Sequence, residues 1–153
     1  MSLLRRSKPE VRIEEATDAS DELAGAMAGL VRQLSSSAAP PQPAELEEIV
    51  ASDATRLLIA RGDDGELLGT LTLVLFRIPT GVRAWIEDVV VDSAARKRGV
   101  GEALTQEALR LAAEHGARTV DLTSRPTRAD ANRLYRRLGF RRRETIVYRH
   151  SRS

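Results

Sequence analysis

Apolar and polar positions alternate from Val11 to Glu15, the period of a half-buried strand. From Asp21 the spacing changes, and Leu23, Met27, Leu30, Val31 and Leu34 recur at helical intervals. The stretch SSSAAPPQP, Ser35 to Pro43, offers no repeating backbone pattern and reads as a loop, followed by a short acidic helix from Ala44 to Ala51. TRLLIARGDDGELLGTLTLVLF predicts two strands around the hairpin signal GDDG. Val82 to Asp92 predicts another strand, ending in a basic, glycine-bearing turn. Val100, Leu104, Ala108, Leu111 and Ala112 then form one apolar helix stripe that stops near Gly116. ARTVDLTS predicts a strand. Thr127 with Asp130 resembles a capping box opening a helix with Ala131, Leu134, Tyr135 and Leu138 on one face, and Gly139 closes it. The remainder to about Arg149 predicts one or two final strands. The order β-α-α-β-β-β-α-β-α-β describes an α/β or α+β domain on one mixed sheet.

No internal repeat or second hydrophobic pattern interrupts this order, so residues 1–153 are expected to form one domain, with residues 1–8 flexible. A hydrophobic fraction of 42% and a charged fraction of 30% belong to a globular chain. No apolar run reaches the roughly 20 residues of a membrane span, and MSLLRRSKPEV lacks the apolar core of a signal peptide. A cytoplasmic location is the expectation. The absence of cysteine excludes disulfides and thiol catalysis, and His115 and His150 are too few and too far apart to suggest a metal centre.

Charge is uneven along the chain. From Arg125 onward ten arginines face only Asp130 and Glu144, whereas the first 124 residues carry a net −6. Such asymmetry can mark a nucleic-acid surface. Yet 22 of the 24 basic residues are arginine, a bias that reads as compositional, and a basic half facing an anionic cofactor accounts for it equally well. A nucleic-acid-binding domain is the weaker expectation.

The basic turn lies in VVVDSAARKRGVGEAL, Val89 to Leu104. A helix that begins after a glycine turn presents unpaired N–H groups and the positive end of its dipole, a natural seat for phosphate. Gly99 and Gly101 would admit close backbone approach, and Arg96, Lys97 and Arg98 add charge at the rim. The spacing matches neither a P-loop nor the Rossmann turn. RKRGVG, Arg96 to Gly101, resembles the Q/RxxGxG/A signature of the GCN5-related N-acetyltransferases (GNAT). It follows the β-branched strand WIEDVVVD and opens an amphipathic helix. About thirty residues on, ANRLYRRLGF, Ala131 to Phe140, is similar to the family's Asn-xx-Tyr helix with its Gly-Phe exit. The resemblance spans roughly Leu57 to Tyr148. It implies the family's fold, a mostly antiparallel mixed sheet of six to seven strands with about four helices, and acetyl-CoA as co-substrate with no metal.

Acetyl transfer to an amine requires a neutral nucleophile, donors for the thioester carbonyl and a proton for the departing thiolate. The resemblance implies that the amides near Val89, Val90 and Val91 hold the carbonyl and pantetheine arm, which a bulge there would free from pairing. It implies that Arg96, Lys97, Arg98, Gly99, Val100 and Gly101 receive the pyrophosphate. Asn132 resembles the family's coenzyme-contacting asparagine, and Tyr135, which also suits a packed core position, is the candidate acid. Strand alternation puts Glu87 with Trp85, Val89 and Val91 on one face and Asp88 with Ile86 and Val90 on the other. Glu87 is the favoured base, with Asp88 as orienter or alternative. A salt bridge from either acid to a nearby arginine is the purely structural reading.

The expected activity is transfer of acetyl from acetyl-CoA to a primary amine by direct attack in a ternary complex. A non-catalytic acyl-CoA-binding module is the competing reading. Asp18, Asp21, Glu22, Glu45, Glu47, Glu48 and Asp53, in the early acceptor-side region, favour a small cationic amine, with a peptide amine as the other class. The family often dimerises, although no residue pattern here fixes an interface.

Overall fold

The computed structural model describes residues 11–152, so the flexibility expected of residues 1–8 lies outside the described residues. The chain divides into two compact units, the first ending at Leu122 and the second beginning at Thr123.

The first unit runs β1 (Arg12–Glu15), α1 (Asp21–Leu34), α2 (Pro43–Ala51), β2 (Thr55–Arg61), β3 (Leu67–Ile78), β4 (Gly81–Val91), a 3₁₀ turn (Ser93–Ala95), α3 (Val100–Glu114) and β5 (Val120–Asp121). The five strands form one sheet in the order β1-β2-β3-β4-β5. All neighbours are antiparallel except β4 and β5. The GDDG turn closes the β2–β3 hairpin, with the Gly62 amide donating to the Glu66 carbonyl at 3.0 Å. Gly65 takes φ 77°, which costs glycine nothing.

Register assigns the faces, because directly opposed residues share a side of the sheet. Leu58, Leu71, Leu73 and Ile86 line one face, and all are buried. The α3 stripe of Val100, Leu104, Ala108, Leu111 and Ala112 is buried too, and a Cβ on Gly69 of that face would meet Val100 and Leu104, so α3 covers it. Burying a side chain such as Leu71 or Leu104 contributes about 1.5–3 kcal/mol relative to exposure. The other face carries Leu57 and Ile59, which cluster with Leu23 and Met27 of α1 and Leu46 of α2. The Ser20 hydroxyl caps α1 by accepting from the Leu23 amide at 3.1 Å. Arg61 ties this layer together, bonding Glu14 of β1 at 2.5 Å and Glu22 of α1 at 2.7 Å. These bonds, that to Glu14 first, push the guanidinium above its ordinary value.

The second unit contains α4 (Ala129–Arg137). Its end is a Schellman turn: Gly139 at φ 96° donates to the Arg136 carbonyl, and the Phe140 amide reaches back to Tyr135. The rings of Tyr135 and Phe140 meet edge to face, centroids 5.6 Å apart. The expected capping box is not formed. Arg128 occupies the N-cap without a side-chain bond, and Asp130 pairs with Arg133 instead of closing on Thr127.

The sheet has five strands among the described residues, not six to seven. ARTVDLTS contributes only Val120–Asp121. Residues 141–152 form neither helix nor strand and are exposed, including Ile146, Val147 and Tyr148. A β-branched run such as Thr145–Val147 becomes a strand only with a hydrogen-bonded neighbour, which local composition does not supply.

Candidate functional site

The strand before the basic turn is broken where a ligand would need it to be. Thr72 of β3 opposes Glu87, and Thr70 opposes Val90, so Asp88 and Val89 together face the single residue Leu71. This β-bulge holds Asp88 at φ 48°, a left-handed conformation that a short polar side chain tolerates best among non-glycine residues. The extra residue inverts the alternation beyond it. Ile86 lies on the α3 face opposite Leu73, whereas Val90 lies on the α1/α2 face opposite Thr70. The expected grouping of Asp88 with Ile86 and Val90, and of Glu87 with Val89 and Val91, is therefore corrected. Glu87 keeps Trp85 as its face neighbour and shares that side with Val90.

On its other edge β4 pairs with β5 only at Ala84 and Trp85. From Ile86 to Val91 that edge has no strand partner among the described residues. The Asp92 amide donates to Leu68 on the β3 side at 2.8 Å. Alternation back from it directs the Val89 and Val91 amides to the open edge.

β4 then runs into a shaped turn. The Asp92 carboxylate accepts from the Ala94 amide at 2.9 Å, and Gln33 at the end of α1 accepts from the Ser93 amide at 2.9 Å. Lys97 at φ 65° and Gly99 at φ 78° are both left-handed. The lysine is the informative one, since such backbone costs of order 1–3 kcal/mol and persists where the surroundings impose it. Gly99 is the N-cap of α3, its carbonyl accepting from Ala103 at 3.0 Å. The amides of Val100 and Gly101, in the first turn, thus have no intrahelical acceptor. A Cβ on Gly99 would meet nothing within 4 Å, so open space lies over the helix terminus. Arg96, Lys97 and Arg98 are exposed around it, and Val100 is buried, anchoring the helix. Open room, the first-turn amides of Val100 and Gly101, exposed basic side chains and an open strand edge could receive a pyrophosphate with an extended arm.

Both carboxylates are exposed. The Glu87 carboxylate accepts from the Trp85 indole N–H at 2.8 Å. Among the described residues, ion pairs form at other acids and not at Glu87 or Asp88. In the second unit, Asn132 and Tyr135 stand one turn apart on α4. The Asn132 side-chain amide donates to the Arg125 carbonyl at 3.1 Å, holding the approach to the helix. Tyr135 is 8% exposed. Burial pushes its hydroxyl above the usual phenol range, and the Arg128 guanidinium acts in the opposite direction.

Of the residues expected from sequence, Glu87, Asp88, Val89, Val90, Val91 and Arg96 to Gly101 form one continuous strand–turn–helix. Two supporting residues were not foreseen. A Cβ on Gly69 would stand 2.8 Å from the Val90 carbonyl and 3.1 Å from Val100, so only glycine lets β3, β4 and α3 meet there. A glycine inside the apolar run LLGTLTL is the signal for such an approach. Gln33 gives no local signal, being 60 residues from the amide it caps. Among the described residues no three His, Asp or Glu side chains group as a metal site, and no helix is long and apolar enough to cross a membrane.

Several solved structures share this architecture. A transcriptional regulator from Bacillus halodurans C-125 is 30% identical, with 93% of this chain and 100% of that one covered at a TM-score of 0.74. The aminoglycoside N-acetyltransferase AAC(6')-Iy, solved with CoA, is 21% identical over 99% and 100%, at a TM-score of 0.79. Glucosamine-6-phosphate N-acetyltransferase from Arabidopsis thaliana is 19% identical over 92% and 98%, at 0.75. No curated protein sequence gives a significant match. The family model described as the acetyltransferase (GNAT) family matches residues 23–140, and the chain belongs to that family.

Proposed function

We propose that the protein transfers the acetyl group of acetyl-CoA to a primary amine on a small cationic molecule, by direct attack while both substrates are bound. The observation that carries this reading is the continuity of the β4 bulge at Asp88–Val89 with the left-handed basic turn capping α3. The pyrophosphate would be held by the amides of Arg98 to Gly101, with Arg96, Lys97 and Arg98 neutralising it. The Val89 and Val91 amides, with Val90 between them, would hold the pantetheine arm and polarise the thioester carbonyl. Asn132 would meet the pantetheine amides through its Oδ1. Bound acetyl-CoA supplies an acyl group on a good leaving thiolate.

The incoming amine must first be neutral. A lysine-like amine of pKa about 10.4 is over roughly 99.9% protonated at pH 7, a handicap of about 4–5 kcal/mol. Glu87, exposed on the α1/α2 face, would take that proton, directly or through water, with Asp88 as orienter or alternative. Tyr135 would return a proton to the thiolate sulfur. A phenol of ordinary pKa about 10 is protonated at neutral pH, as an acid must be, and burial shifts it further in that direction.

A cationic acceptor is supported by the acidic early region. Asp18, Asp21, Glu22, Glu45, Glu47, Glu48 and Asp53 are all exposed. Glu22 is engaged by Arg61, and Glu45 accepts from the Gln42 amide at 2.8 Å, which leaves the other five to attract cations. The test is amine-dependent thiol release from acetyl-CoA across aminoglycosides, glucosamine 6-phosphate, polyamines, amino acids and peptide N-termini, with the N-acetyl product identified by mass. Release with cationic amines supports the reading. Tight acetyl-CoA binding without release under any amine would favour a non-catalytic acyl-CoA module.

A further inference from the structure

Trp85 is the only tryptophan in the chain, and its one polar atom is spent on Glu87. We infer that Trp85 is a positioning residue that holds the Glu87 carboxylate in the orientation from which it takes the amine proton. The inference rests on the reading of Glu87 as the base.

The backbone shows why such a restraint is needed. Trp85 is the last residue of β4 paired on both sides, opposite Val74 of β3 and beside Asp121 of β5. Glu87, two residues on, has Thr72 on one side and no strand on the other among the described residues, and the bulge begins at its next residue. An exposed glutamate there has three side-chain torsions and a strand free on one edge. Residues i and i+2 lie on one face roughly 7 Å apart along the strand, within reach of the indole. The 2.8 Å N–H···O bond from the half-buried, doubly paired residue therefore fixes the looser one. It occupies one lone pair of one carboxylate oxygen, and an ionised carboxylate retains further acceptor sites for an amine or a bridging water. The indole donates only, so it can orient the carboxylate without competing for the proton that Glu87 takes.

A single tryptophan makes the contact directly observable, since the uniformly ¹⁵N-labelled protein gives one indole N–H resonance. That resonance should move upfield in Glu87→Gln, which replaces a charged acceptor by a neutral one, and stay in place in Asp88→Asn. Trp85→Phe keeps an aromatic ring and removes the donor. With the best acceptor of the amine panel it should lower kcat about tenfold, a part of the roughly 10²–10⁴ that a positioned base supplies, with KM for acetyl-CoA unchanged within twofold. Trp85→Phe combined with Glu87→Gln should be no slower than Glu87→Gln alone. If Trp85→Phe does not fold, global replacement of tryptophan by benzothienylalanine alters this one position, puts sulfur where the N–H stands, and should give the same loss. Wild-type kcat in the donor-free proteins, with Glu87→Gln impaired, overturns the positioning role and leaves Glu87 as base. An indole resonance unmoved in Glu87→Gln overturns the contact itself. Wild-type turnover in Glu87→Gln overturns the reading of Glu87, and the inference falls with it.

Discussion

Replacing Gly69 by alanine perturbs the point where the sheet, the bulged strand and the helix under the basic turn converge. The added methyl carbon would sit 2.8 Å from the Val90 carbonyl oxygen, 3.1 Å from Val100 Cγ1 and 3.4 Å from Leu104 Cδ1. The first contact is with backbone and cannot be relieved by a rotamer change. The second is with a β-branched side chain that is 2% exposed at the first turn of α3. Overpacking of this kind costs about 1–3 kcal/mol. The stiffer unfolded chain returns about 0.4–1 kcal/mol, since Gly69 does not use a left-handed conformation. A net loss of about 1–2 kcal/mol should lower Tm by roughly 2–8 °C for a chain of this size. Because the displaced atoms belong to Val90 and Val100, acetyl-CoA affinity should fall as well. Thermal melting with and without the cofactor reads both effects. A Gly69→Ala protein with unchanged Tm and unchanged affinity would refute the idea that this close approach sets the geometry of the turn.

Tyr135→Phe should lower turnover at least about tenfold, within the range of lost general-acid catalysis, while acetyl-CoA affinity stays within a few-fold; wild-type rates would assign the thiolate's proton to another group. The same residue gives a stability test. Its folded-state hydroxyl is held above the free phenol value of about 10, so the unfolded chain ionises first and stability should fall as pH rises past about 10. Tyr135→Phe should lack that part of the fall in urea titrations, and an identical alkaline profile would contradict the burial argument. Glu47→Gln combined with Glu48→Gln leaves the Glu45 cap in place and should raise KM for a cationic acceptor with little change in kcat, an effect that fades with salt. An untouched KM would show that these acids only solvate α2.

How far the chain could be read in advance depended on how local the determining physics was. The α1 and α3 stripes and the GDDG hairpin follow from periodicity and turn chemistry within a few residues, and all three stand where expected. The basic turn was legible because glycine, charge and a strand-to-helix change coincide in six residues. The side assignments along β4 failed at Asp88, since one inserted residue reverses every later position and nothing in WIEDVVV announces it. The final strands failed because ETIVYR has a strand's composition without a neighbour to bond. Trp85 was recognised only as a face partner of Glu87, although an indole N–H beside a carboxylate two residues on is a readable hint of a bond. Gln33 was out of reach, since only the fold brings the end of α1 to the turn.

Calorimetric titration of acetyl-CoA into the wild-type protein and into Gly99→Glu tests the central claim most directly. The substitution sets a carboxylate in the open space over the α3 amides, on a residue at φ 78°. If that space receives the pyrophosphate, the variant should lose at least about a hundredfold in affinity, close to 2.7 kcal/mol. Pantetheine, which lacks the pyrophosphate, should bind both proteins equally weakly. Unchanged acetyl-CoA affinity in a folded Gly99→Glu protein would contradict the account.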